Sequence, residues 1–226
     1  MVTGVLPIAI NRACRLSDYF MHKNKTYVGI MRVHKDIERE KLEKEIESFI
    51  GKIMQLPPVK SRVKREIRER EVFSWKILEI EGKDVLFETE VQAGTYIRKL
   101  ISDLGDKIGG AHMLELRRTR AGIFSEENIV NLYQLEKAVS EWKNGNEEEL
   151  RKILIPAEEA IKRVLPEVQV KPELVKQLLT GKPLHKGEVK LPKGEKFAVF
   201  SEEKFIGIYK KVDEEDIIAR AEFVFN

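Results

Sequence analysis

The sequence predicts a chain of mixed helices and strands that closes with a small β-rich module. Three observations predict it. Ile97, Leu100, Ile101, Leu104 and Ile108 fall on one helical stripe. Several runs alternate apolar and polar residues, among them "KTYVGIMRVH" and the stretch carrying Val85, Phe87, Thr89 and Val91. Beyond Pro156 and Pro166 the composition shifts to short β-like runs.

In chain order, Leu6, Ile8 and Ile10 make an apolar opening that leads into a helical stripe of Ala13, Leu16 and Phe20. "KTYVGIMRVH" reads as a strand. Residues 38–50 form an amphipathic helix on Leu42, Ile46, Phe49 and Ile50, ended by Gly51. "WKILEIEGKDVLFETEV" is a strand, a turn at Glu81–Asp84 and a second strand. In "AGTYIRKLISDLG", Gly94 and Thr95 signal a helix start, with Tyr96 and Arg98 in the first turn. The Gly pair of "DKIGGAH" is a tight turn into "AHMLELRRTR", a strand expected to place His112, Leu114, Leu116 and Arg118 on one face. Helices follow around 131–142 and 147–154, then a short helix "PELVKQLLTG" closed by Gly181. Three β-like runs, Phe197–Phe200, Phe205–Tyr209 and Ile217–Phe225, complete the chain. The compositional shift places a domain boundary near 160, giving domains at 1–160 and 161–226.

Composition narrows the function. The 226 residues are 42% hydrophobic and 35% charged, with no run approaching the roughly 18 apolar residues of a membrane span. A single cysteine, Cys14, excludes an internal disulfide and fits a reducing cytoplasm. Net charge is only +3, but residues 57–70 carry six basic and two acidic side chains, a local +4. Residues 164–226 hold eleven of each and are neutral. Four scattered histidines, none at ligand spacing from Cys14, argue against a metal centre. Neither phosphate-binding glycine motif is present.

Arg98 poses the sharper question. The N-terminus of a helix carries partial positive charge, so a cation there asks for an anion. Four stretches stand with it in a fixed order: "VTGVLPIAI", "QLPPVKSRVKR", "AGTYIRKLISDLG" and "GAHMLELRRTRAG". Together they resemble the TruB/dyskerin family of RNA pseudouridine synthases. "LLTGKPLHKGEV" resembles the PUA RNA-binding module that follows the catalytic domain there. The form "HMLELRRTRAG" is more similar to the archaeal and eukaryotic guide-RNA-dependent branch than to the bacterial tRNA enzymes.

The resemblance implies an α+β fold, a mixed sheet flanked by helices, followed by a β-barrel-like PUA domain. It implies isomerisation of uridine to pseudouridine in tRNA or rRNA, no metal or organic cofactor, a box H/ACA guide RNA and small accessory proteins. Arg98 would pair with a catalytic aspartate. Tyr96 would contact the flipped uracil, Tyr27 would stack on it, and Leu116 would wall the pocket. Lys60, Arg62, Lys64, Arg65, Arg117, Arg118 and Arg120 would contact phosphates. Gly181, Lys182 and His185 would face RNA from the PUA module. On the residues alone, the same positions read as a surface arginine, ordinary half-buried tyrosines, a core leucine and a solvated basic face.

The aspartate belongs to a "GTLDP" motif just before the family's "xTGVLP", and this sequence opens at Met1-Val2-Thr3-Gly4. Asp18, the acid nearest that end, reads as a surface residue. The expectation is a chain inactive alone, as a truncation, part of an interrupted gene, or a non-catalytic RNA-binding protein. A structural or interaction protein would need neither the pocket residues nor the basic stretch.

Overall fold

The computed structural model describes residues 2–59 and 61–225. Lys60 therefore lies outside the described residues. The chain packs as two compact units. One takes the residues up to Ile8 and Phe20–Ile129; the other takes Ala9–Tyr19 and everything from Val130 onward. This division by packing falls upstream of the compositional shift near 160.

The first unit contains β1 (Val2–Gly4), β2 (Lys25–Val33), α2 (Arg39–Glu47), β3 (Gly51–Gln55), β4 (Arg68–Glu81), β5 (Asp84–Val91), α3 (Ile97–Ile108), β6 (Ala111–Ala121) and β7 (Phe124–Ser125). A short helix α1 (Ser17–Met21) precedes β2. The seven strands make one mixed sheet in the order β1-β6-β2-β5-β4-β3, with β7 on β6. Only β1 runs parallel to its neighbour, setting Val2, Thr3 and Gly4 opposite Leu116, Arg117 and Arg118. Helix α3 lays the expected stripe on the sheet, with Ile97, Leu100, Ile101 and Leu104 buried. They join Phe87, Trp75, Leu116 and Met31 in one core cluster.

The local chemistry explains most of these elements. β5 alternates as read, burying Val85, Phe87, Thr89 and Val91. Buried Thr89 donates its hydroxyl to the Ser74 carbonyl at 2.8 Å, which satisfies its polar atom. The glycine pair works as a tight turn. Gly109 ends α3 in the left-handed region at φ 86°, Gly110 follows at φ 117°, and Gly110 N–H bonds back to Gly105 O.

Three local readings are corrected. The helix read over 38–50 ends at Glu47, Gly51 opens strand β3, and Ile50 is exposed. The helix read as starting at Gly94-Thr95 instead has Tyr96 as its N-cap, because the Thr95 hydroxyl is spent on the Gln92 carbonyl. The strand β6 does not bury the alternating set 112, 114, 116 and 118. It buries Met113, Leu116 and Ala121, three and then five residues apart. Against β2, Ile30 faces Glu115 and Met31 faces Met113, which leaves Leu114 extra; Tyr27 faces Arg118 and Thr26 faces Arg120, which leaves Thr119 extra. Each bulge inserts one residue and reverses the alternation beyond it.

In the second unit, α4 (Leu132–Lys143) starts with a capping box between Asn131 and Gln134. Helices α5 (Glu148–Ile153) and α6 (Ala157–Lys162) follow. A five-stranded sheet is built from β8 (Glu167–Gln169), β9 (Leu184–His185), β10 (Lys196–Ser201), β11 (Lys204–Lys211) and β12 (Ile217–Val224), in the order β8-β10-β11-β12-β9. Helix α7 (Pro172–Leu178) packs its Leu178 into the sheet's core with Leu184, Phe197 and Tyr209. The segment Ala9–Tyr19 belongs here too. Arg15 lies over the Phe223 ring, and the Tyr19 hydroxyl donates to the Glu222 carboxylate at 2.5 Å. Burial, with the Glu222 bond and charge, raises the Tyr19 phenol above its ordinary range.

Candidate functional site

The site is assembled around the turn from β5 into α3. Gly94 sits at φ 83°, a conformation that side chains rarely adopt, and lets the chain reverse into the helix. Tyr96 follows, and its backbone is held from outside. The Gln55 side chain accepts from Tyr96 N–H at 3.0 Å and donates to Tyr96 C=O at 3.3 Å. Gln55 is 2% exposed, so this clamp is out of water. The Tyr96 hydroxyl meets the Ser61 hydroxyl at 2.7 Å. One stretch of chain, 55–61, therefore grips Tyr96 by both ends.

Ile97, between Tyr96 and Arg98, belongs to the same buried cluster as Leu116, and Tyr27 packs against that cluster. Tyr27 is on β2 between Thr89 of β5 and Arg118 of β6. Two residues on, Gly29 leaves the space that Phe87 and Leu116 fill. A Cβ at Gly29 would stand 2.8 Å from Phe87 Cζ and 3.1 Å from Leu116 Cδ1. The fold thus gathers Tyr27, Leu116 and the start of α3 about one apolar floor.

Arg98 is exposed in the first turn of α3, where no acidic residue accompanies it. It makes no hydrogen bond or ion pair among the described residues, whereas the next residue, Lys99, pairs with Asp103. A guanidinium so placed, at the positive end of a helix, has the chemistry to accept an anion. Asp18, read from the sequence as a surface residue, is exposed on α1.

The basic residues divide into two groups. Arg62 and Arg65 are exposed with no partner among the described residues, and Lys64 pairs with Glu66. Three on β6 are already engaged. Arg117 pairs with Glu126 at 2.7 Å, Arg120 with Glu90 at 2.8 Å, and Arg118 donates Nε–H to the Val5 carbonyl at 2.7 Å. In the second unit, Gly181 and Lys182 are exposed on the α7–β9 loop. The Tyr209 hydroxyl ties that loop down, its one proton shared between the carbonyls of Lys182 and Leu178 at 3.1 and 3.3 Å. His185 Nδ1 faces the Asp216 carboxylate at 2.6 Å.

Sequence reasoning passed over Gln55 and Ser61, although both stand in the quoted "QLPPVKSRVKR" stretch. A polar side chain in a run with no apolar period carries a signal only once its partner is known. Two histidines read as scattered also meet, His34 Nε2 lying 2.9 Å from His112 Nδ1 across the β2–β6 pair. Among the described residues no group of three or more metal-ligating side chains forms. No described helix is long and apolar enough to cross a membrane.

Residues 1–39 match the TruB family pseudouridylate synthase N-terminal domain, and residues 98–162 match the tRNA pseudouridylate synthase B C-terminal domain. A probable tRNA pseudouridine synthase B from Methanopyrus kandleri is 45% identical over 196 residues, covering 85% of this chain and 58% of that protein. One from Nanoarchaeum equitans is 47% identical over 165 residues, covering 72% of this chain and 47% of that protein. A crystal structure of a Cbf5-Nop10-Gar1 complex superimposes with a TM-score of 0.88 at 36% identity, covering all of this chain and 73% of that one. The chain belongs to the TruB/dyskerin family. A second family structure, an H/ACA RNP bound to a substrate RNA containing 2'-deoxyuridine, matches with a TM-score of 0.86 at 34% identity. The chain spans about 58% of the length of curated TruB/dyskerin relatives such as the Methanopyrus protein.

Proposed function

We propose that this chain carries the uracil pocket of an RNA pseudouridine synthase. The observation that supports the reading most is Arg98, a guanidinium with no partner among the described residues, in the first turn of a helix whose N-cap tyrosine is clamped at three atoms. In the reaction, an aspartate assists cleavage of the N-glycosidic bond, the uracil rotates, and it rejoins the ribose through carbon. Arg98 keeps that aspartate ionised and aimed. Tyr27 stacks on the extruded base, Tyr96 contacts it, and Leu116 closes the apolar floor. Arg62, Lys64 and Arg65, with Lys60, bind phosphates, and the engaged Arg117 and Arg120 exchange a protein partner for one.

The substrate is uridine in tRNA or rRNA, directed by a box H/ACA guide RNA with small accessory proteins. The likeness to solved H/ACA complexes supports this choice. Residues 161–226 serve as the PUA module, with Gly181, Lys182 and His185 toward the guide. The aspartate of this reading is that of the "GTLDP" motif, which residues 1–226 do not contain.

The test supplies a fragment bearing the "GTLDP" aspartate, fused or in trans, with guide and substrate RNA. Pseudouridine should form only with the aspartate present and should be lost in Arg98→Ala. Stability of that variant should stay within about 0.5 kcal/mol, since no partner is broken. A folded, RNA-binding complex that never turns over would make the chain a non-catalytic RNA-binding protein instead.

A further inference from the structure

Arg118 of β6 is engaged differently from the basic residues beside it. Arg117 and Arg120 pair with carboxylates, whereas Arg118 closes on the backbone of one residue, Val5. Its Nε–H donates to the Val5 carbonyl at 2.7 Å, and its own carbonyl accepts from Val5 N–H at 2.8 Å. Val5 is 3% exposed, so Arg118 pairs backbone groups that have little water to turn to. The approach is close because Gly4 has no side chain. A Cβ there would stand 2.1 Å from the Arg118 carbonyl oxygen, and Gly4 sits at φ 93°. Sliding β1 along β6 would bring Thr3 or Val5, each with a Cβ, to that place, so the register has one setting. Beyond Val5 the hold ends, and Leu6 and Ile8 are exposed. On its other side Arg118 stands opposite Tyr27 of β2.

We propose that Arg118 is a positioning residue of the reaction. It pins β1 at Val5, and so sets the segment that runs into β1 and carries the aspartate at a fixed offset from Tyr27. This rests on the synthase reading, in which the "GTLDP" aspartate comes just before "VTGVLP". Strand β1 is three residues long and ends the sheet order, so the hold at Val5 is a large share of what keeps that segment in place. An aspartate and a base stacked on a tyrosine must meet within a fraction of an ångström, and about 1 Å of misplacement costs about 100-fold in rate. The Nε–H that the resemblance assigned to a phosphate is spent on Val5, and Arg118 acts through β1.

The test has two parts. Amide hydrogen exchange of the chain reads the anchor itself. Arg118→Met should speed exchange at Val5 N–H about tenfold while α3 and β5 stay protected. Pseudouridine formation by the chain fused to a "GTLDP" segment, with guide RNA, substrate RNA and enzyme in excess, reads the consequence. The single-turnover rate constant should fall about 10- to 100-fold in Arg118→Met, with the slope of log Kd against log salt unchanged. A lost phosphate contact would instead make that slope shallower by about 0.7–0.9 and leave the saturated rate alone. Gly4→Ala changes no charge and should show the same loss of rate, so it decides alone should Arg118→Met fail to fold. Parent-like exchange at Val5, a parent-like rate constant in a folded variant, or a slope shallower by that amount would overturn the assignment and leave the synthase reading intact. A fused parent that forms no pseudouridine would overturn both.

Discussion

Replacing Gln55 tests whether the hold on Tyr96 is structural in the way its geometry states. Tyr96 is the N-cap of α3, so its N–H is one of the donors that a helix start leaves unpaired. Gln55 accepts from it at 3.0 Å and returns a bond to the carbonyl at 3.3 Å, with almost no water present. In Gln55→Leu two bonds worth about 0.5–1.5 kcal/mol each are lost, and the stranded N–H adds about 1–3 kcal/mol. The expected cost is about 2–6 kcal/mol, the lost bonds and the stranded donor contributing comparably. Gln55→Glu keeps the acceptor and puts a negative charge at the helix N-terminus, worth about 0.3–1 kcal/mol, but faces the Tyr96 carbonyl with lone pairs. It should lose about half as much. Urea unfolding followed at Trp75, buried in the same unit, in a Trp142→Phe background reads this unit alone. At an m-value of about 2 kcal/mol/M the leucine variant's midpoint should drop by about 1–3 M with m unchanged. A leucine variant within about 0.5 kcal/mol of the parent would refute the clamp as a source of stability.

Two further outcomes are expected. Gly29→Ala should cost about 1–3 kcal/mol in the same Trp75 assay, because the new methyl meets the Phe87 ring at 2.8 Å and the Glu115 carbonyl at 2.9 Å. Burial, with the nearby Glu188 charge, pushes the Tyr209 phenol up to about 12. Its folded value lies above the unfolded value near 10, so its contribution is fully present below pH 10 and is lost as pH rises towards 12. The melting temperature of the second unit, followed at Trp142 in a Trp75→Phe background, should fall across that window. Tyr209→Phe should flatten the fall, at a neutral-pH cost of about 1 kcal/mol for the bonds to Leu178 and Lys182.

What was legible in the sequence were the periodic elements. The stripe of α3, the alternation of β5 and the Gly109-Gly110 turn all follow from local pattern, and the structure holds each of them. The face of β6 was not legible. Leu114 and Thr119 are extra only relative to β2, so the bulges exist in the pairing and not in either strand's own pattern. The strand β3 is five residues long and too short for a period to emerge, and β8, β9 and α6 escaped for the same reason. For the candidate site, motif order carried Tyr27, Tyr96, Arg98 and Leu116. Gln55 and Ser61 needed coordinates, since each matters through Tyr96, 41 and 35 positions away.

The three-point hold on Tyr96 bears on how a pocket distinguishes its guest. A tyrosine free to swing would be immobilised when a base arrived, at a loss of about 0.5–1.5 kcal/mol of binding for that side chain alone. Here the backbone is fixed by Gln55 and the far end of the ring by Ser61, so that ordering has been done during folding. Under the function proposed above, the cost moves from each encounter with RNA to the single event of making the protein. Rigidity of this kind narrows tolerance as well. A ring that cannot step aside admits a base of one shape and turns away one that needs a different angle.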